Sequence, residues 1–156
     1  MRKIYSICFL IVVLGINTLS AQTRYLNEIF NDVNVDTSVM YGVNATVLYY
    51  SVIGQAVPQP LMMDVYTPSG DVETSRPLMI YLHTGNFLPD NYTTGGTRRD
   101  SATVELCSRF AKMGYVVASC DYRLGWNPLD TTQDGRVNTL INAAYRGVQD
   151  CRTAVR

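Results

Sequence analysis

At 156 residues the chain has room for one domain with a sizeable core. Its 13 basic residues balance 13 acidic ones, and neither a basic stripe nor an acidic tail breaks that balance, so we expect no nucleic-acid partner. Repeats, low-complexity tracts and interdomain linkers are absent from the sequence, which excludes solenoid and multi-domain readings.

The first residues have the layout of a secretory signal peptide. Arg2 and Lys3 precede an apolar run from Ile7 to Gly15, and Thr18-Leu19-Ser20-Ala21 supplies the small residues of a cleavage site. We place the cut after Ala21, so that residues 1–21 are the signal peptide and residues 22–156 the exported domain. The apolar run is too short to span a bilayer, and no stable membrane span is expected in the mature chain. Cleavage removes Arg2 and Lys3 and leaves a formal charge of 11 − 13 = −2. It also removes Cys8 and leaves Cys107, Cys120 and Cys151 in a secreted, periplasmic or extracellular setting. Spacings of 13 and 31 residues match no metal-binding cysteine pattern, so these three are expected to be buried as small apolar residues.

Residues 22–40 are polar and mixed. Asp32-Val33-Asn34-Val35-Asp36 opens like an EF-hand calcium loop, but Thr37 replaces the required Gly and Val43 falls where the bidentate Glu belongs. A short half-exposed strand through Val33 and Val35 is expected instead, and no metal or cofactor is predicted anywhere. Ala45 to Ile53, dense in β-branched and aromatic residues, is predicted to be a strand, and Gly54 to Pro60 its turn. Leu61 to Tyr66 is then a second strand, hairpin-paired with the first. The sequons Asn44-Ala45-Thr46 and Asn91-Tyr92-Thr93 are taken as chance matches.

Leu78 to Leu82 carries no charge and no turn former, which predicts a strand buried on both faces. It stops at His83-Thr84-Gly85-Asn86-Phe87, where a parallel strand would open into a loop, the place where open α/β sheets bind ligands. A loop from Leu88 to Arg99 comes next. Asp100 or Ser101 caps a helix with Val104, Cys107, Phe110 and Ala111 on its apolar face, and Gly114 closes it. Tyr115 to Cys120 is a fourth strand, and the strand–helix–strand order makes it parallel to the third. Asp121 and Arg123 are expected to form a structural ion pair. Tyr122 and Trp126 are expected to pack in the core or a loop. A long helix starts near Val137 with Leu140, Ala144, Gly147, Val148, Cys151 and Val155 inward, and Asn142, Arg146, Gln149, Asp150 and Arg152 outward. Asp150 and Arg146 are read as a solvated pair one turn apart. The helical pattern still runs at Arg156.

In order and at these separations, Leu61 to Pro68, His83 to Phe87, Gly114 to Ser119, Asp121-Tyr122-Arg123 and Ala143 to Asp150 resemble the α/β-hydrolase superfamily, within it the carboxylesterase and lipase-like branch. The resemblance covers about Tyr41 to Arg156. It implies the front half of an α/β-hydrolase fold: an antiparallel hairpin leading into a parallel sheet with flanking helices, truncated before the nucleophile elbow. In that family a His-Gly-Gly-Gly-Phe type loop lends backbone N–H groups to an oxyanion hole. His83 and Phe87 match its ends and Gly85 its middle, while Thr84 and Asn86 depart from glycine. The resemblance therefore assigns Gly85 and Asn86 as oxyanion donors. His83 is the chain's only His, and a catalytic base would need a partner serine in Gly-x-Ser-x-Gly, which does not occur. The resemblance implies instead that His83 organises the loop, with a generic buried imidazole as the alternative. The expectation is the N-terminal fragment of a secreted serine hydrolase acting on a small-molecule carboxylic ester, inactive alone, with its triad beyond residue 156. The alternatives are a secreted peptidase of the same fold and a binding module that keeps the fold without the triad.

Overall fold

A computed structural model describes residues 23–89 and 96–156; the predicted signal peptide and the Asn91 sequon lie outside them. The elements run β1 (Val33–Thr46), α1 (Tyr50–Ile53), β2 (Val57–Pro68), β3 (Leu78–Leu82), α2 (Ser101–Lys112), β4 (Val116–Cys120) and α3 (Gln133–Ala154). The sheet order is β1-β2-β4-β3. β1 and β2 form an antiparallel hairpin, β2 pairs antiparallel with β4, and β3 and β4 run parallel in a register from Leu78↔Val116 to Leu82↔Cys120. α2 packs on β2 and β4, and α3 on β1 and β3. This is the layout that the resemblance implies, an antiparallel hairpin feeding a parallel crossover with helices alongside.

The hairpin's first strand is not the one that propensity selects. Ala45 and Thr46 end β1, which reaches back to Val33, and the chain then makes one helical turn at Tyr50–Ile53, closed by Gly54 at φ 75°. Val57–Pro60, read as turn, belong to β2 and pair with β1 from Thr46↔Val57 onward. The ladder explains the difference. A twelve-residue β2 recruits polar residues 33–44 as its partner, and Tyr50, Val52 and Ile53, the apolar residues that suggested a strand, stay exposed. The ladder shifts register between Asp36 and Val39 and between Met40 and Gly42; Ser38 sits in the first shift at φ 57°.

β3 has the predicted bounds but not the predicted burial. No residue in it is fully buried, and Leu78 and Leu82 are 49% and 38% exposed. β3 lies at the edge of the sheet, paired with β4 on one side only among the described residues. The buried centre is instead Tyr66, Cys107, Ala111 and Val117, with Val33, Met79, Tyr81, Phe110 and Tyr115 packed around it. Val104, expected inward on α2, is exposed, and Thr103 takes its place in the buried stripe with Cys107 and Ala111. Asp100 does occupy the cap position, although its carboxylate turns back to the Thr97 amide and hydroxyl, both at 3.0 Å. Among the described residues no helix is long and apolar enough to cross a membrane.

Candidate active site

Because β3 and β4 are parallel and end in register at Leu82↔Cys120, the segments after them, 83–87 and 121–126, leave the sheet side by side. The first is a strained corner. Gly85 has φ 134°, and Asn86 and Phe87 come next at φ 55° and 59°. Asn tolerates this left-handed region, whereas a bulky Phe there is an outlier costing on the order of 1 kcal/mol or more. Asn86 thus adopts the backbone geometry for which a glycine is usually needed.

The carbonyls of the corner are tied one by one. The His83 carbonyl accepts from the Tyr122 hydroxyl at 2.7 Å, the Thr84 carbonyl faces His83 Nδ1 at 2.7 Å, and the Gly85 carbonyl accepts from the Leu88 amide at 3.0 Å. The Phe87 carbonyl accepts two amides, Gly125 and Trp126, each at 2.9 Å. Since a carbonyl only accepts, Nδ1 carries the imidazole proton here. A trans peptide is planar with its N–H opposed to its C=O. Tying the Thr84 carbonyl therefore aims the Gly85 N–H, and tying the Gly85 carbonyl aims the Asn86 N–H. Among the described residues neither of these two amides donates a hydrogen bond. Gly85 is half-buried and Asn86 exposed. Gly96 closes the corner from outside: a Cβ there would stand 2.5 Å from the Thr84 oxygen and 3.1 Å from the Gly85 Cα, so the two backbones touch only because residue 96 has no side chain.

The second segment is built from buried side chains. Tyr122, Arg123 and Leu124 are all 5–7% exposed. The Tyr122 ring stacks on His83 at 4.5 Å and 25°, and meets Phe87 edge-on at 5.5 Å. Arg123 does not pair with Asp121, as the sequence suggested. Its Nε and its backbone amide donate to Asp150 at 2.9 Å, and Nη1 reaches the Ala45 carbonyl at 3.0 Å. Asp150 is correspondingly not a solvated partner of Arg146 but fully buried, and it also accepts from Asn44 Nδ2 at 2.8 Å. The inward stripe of α3 is Ala143, Gly147 and Asp150, while Val148, predicted inward, is 60% exposed. Apolarity was the wrong guide there, because small residues let the helix approach and three donor groups, the Arg123 Nε and amide and the Asn44 Nδ2, satisfy the buried carboxylate. Asn44, engaged in this contact, is poorly placed to carry a glycan.

Asp121 pairs with Arg98, which also touches Asp64 at 3.3 Å; Asp64 accepts from Arg99 at 2.7 Å and from the Ser38 amide at 2.7 Å. Burial alone would raise the Asp64 carboxyl, but these hydrogen bonds outweigh it and hold it at about 2. Burial pushes the Asp121 carboxyl up, with Arg98 opposing. It likewise pushes the thiols of Cys107 and Cys120 up to about 11 and about 12, consistent with packing groups rather than nucleophiles.

A cavity of about 210 Å³ opens beside the corner, lined among others by Gln59, His83, Arg98, Asp121 and Tyr122. A larger one, about 380 Å³, lies away from the corner between Asn44 and the end of α3, and its polar lining of Arg123, Gln149, Arg152 and Thr153 includes no His, Cys or carboxylate. We place the candidate site at the smaller cavity, whose lining by His83 and Gly96 puts it next to the corner that carries the oriented amides. Among the described residues no three His, Cys, Asp or Glu side chains gather as a metal site. Sequence reasoning brought His83, Gly85 and Asn86 to one corner but missed what holds it: Tyr122, visible only as part of Asp121-Tyr122-Arg123, and Gly96, hidden in a loop.

No protein-family profile and no curated protein matches the chain. Solved structures do. Brefeldin A esterase, a bacterial homologue of human hormone-sensitive lipase, is 22% identical over 80% of this chain and 29% of its own, with a TM-score of 0.41. Esterase B from Lactobacillus rhamnosis is 21% identical over 98% of this chain and 42% of its own, with a TM-score of 0.36. The same esterase inhibited with a tributyrin phosphonate gives 18%, 95%, 40% and 0.37. The chain is thus similar to esterases and spans less than half the length of each.

Proposed function

We propose that this chain supplies the oxyanion side of the active site of a secreted serine hydrolase that cleaves small carboxylic esters, and that the serine, base and acid lie after residue 156 in a longer protein. A serine oxygen would attack the ester carbonyl, the base would take its proton and pass it to the departing alcohol, and the Gly85 and Asn86 amides would hold the negative charge on the carbonyl oxygen. The observation that carries this reading is the corner itself: two adjacent amides, aimed by tied carbonyls and without acceptors among the described residues, in a turn whose His83 lines a cavity. Strain maintained at such a place is a mark of preorganised donors. The φ of 55° at Asn86 supports the enzyme over the binding module, because the departure from glycine leaves the turn intact. The complete protein is expected to hydrolyse p-nitrophenyl acetate in a manner blocked by serine-directed phosphonates, and residues 1–156 alone to be inactive. Phosphonate-sensitive turnover by residues 1–156, or none by the complete protein, overturns the reading.

A further inference from the structure

We propose that Tyr122 is a positioning residue for acyl transfer, acting on the Gly85 amide through His83. The inference rests on the reaction proposed above. The Gly85 N–H points where it does because the Thr84 carbonyl is tied to His83 Nδ1. That tie holds only while the imidazole keeps its place. His83 is 6% exposed at the end of an edge strand, and among the described residues its ring contact is Tyr122. The phenol donates to the His83 carbonyl at 2.7 Å and fixes the backbone; the ring, stacked at 4.5 Å, fixes the imidazole plane. Tyr122 is itself 5% exposed, comes directly after β4 and Asp121, and is backed by α3, where a Cβ on Gly147 would come within 3.6 Å of its ring. The effect proposed for Tyr122 reaches the oxyanion through the imidazole and the two peptide planes between residues 83 and 85.

The test is a double-mutant cycle in the complete protein, with p-nitrophenyl acetate turnover normalised to the burst of titratable active sites. Tyr122→Phe keeps the stacked ring and removes the phenolic donor, and is expected to lower kcat about tenfold with KM within about twofold. Tyr122→Leu removes both contacts and is expected to lower it further. In a His83→Ala background the residue-83 carbonyl still accepts from the phenol, so Tyr122→Phe should still lower kcat, whereas replacing Phe by Leu at 122 should then change it by less than about twofold, because the imidazole that the ring holds is gone. Should Tyr122→Leu fail to fold, the Phe variant carries the test. An unchanged kcat in Tyr122→Phe, a loss confined to the number of active sites, or a Phe-to-Leu step at 122 that is fully additive with His83→Ala overturns the role while leaving the esterase reading intact. Wild-type protein without esterase activity overturns both.

Discussion

The segments that leave β3 and β4 start level with each other and are built on opposite principles. Residues 83–87 are backbone: three successive positive φ angles, carbonyls tied individually, and amides left without acceptors among the described residues. Residues 121–126 are side chain: a buried phenol, and a buried guanidinium on a fully buried carboxylate. The strained segment cannot hold itself. Its hydrogen bonds and ring contacts beyond its own residues and Leu88, among the described residues, run to segment 121–126. Geometry suited to binding charge is thus stored in one segment and stabilised by the packing of its neighbour.

The largest way to disrupt this pairing is from beneath. Asp150→Ala leaves the Arg123 guanidinium and amide buried with no carboxylate, and is expected to cost about 3–5 kcal/mol in urea unfolding. A loss below about 1 kcal/mol would show that segment 121–126 has another anchor.

Acid loosens the same segment from the side. The Asp64 carboxyl sits below its ordinary range when folded, so its contribution is fully present at neutral pH and disappears as pH falls from the usual carboxylate range towards about 2. That contribution is about 2 kcal/mol at neutral pH. Asp64→Asn should flatten the acid limb of a stability–pH curve; a limb of unchanged slope would assign the acid sensitivity elsewhere.

The smallest change touches the contact between the two segments and α3. A Cβ on Gly147 would lie 3.1 Å from Phe87 Cε1. Alanine gains about 0.5–1 kcal/mol of helix propensity and gives part of it back in moving that ring. Gly147→Ala should therefore change the unfolding free energy by less than about 1 kcal/mol while lowering kcat of the complete protein about threefold. Equal wild-type activity would mean that Phe87 does not help shape the corner.

Much of this was legible in the sequence, for identifiable reasons. β4, α2 and the bounds of β3 declare themselves because an uncharged run or a capped apolar stripe leaves few alternatives. The corner was legible because His83, Gly85 and Phe87 stand together at a strand end. What escaped depends on partners distant in the chain. That the strand expected through Val33 and Val35 continues to Thr46 as the hairpin's first strand is set by β2, the exposure of β3 by its place at the sheet edge, and the burial of Asp150 by Asn44 and Arg123, 106 and 27 residues away. Local pattern cannot report a carboxylate that is satisfied from two other elements. Nor can it show that Gly96 is needed for a backbone contact with residues 84 and 85.

Whether the Gly85 and Asn86 amides receive the oxyanion is best tested by a crystal structure of the complete protein inactivated with a p-nitrophenyl alkylphosphonate, whose phosphoryl oxygen stands in for the carbonyl oxygen in the tetrahedral state. If they do, this oxygen lies about 2.7–3.1 Å from both amide nitrogens. An oxygen out of hydrogen-bond reach of Gly85 and Asn86, or held by donors elsewhere, would contradict that role.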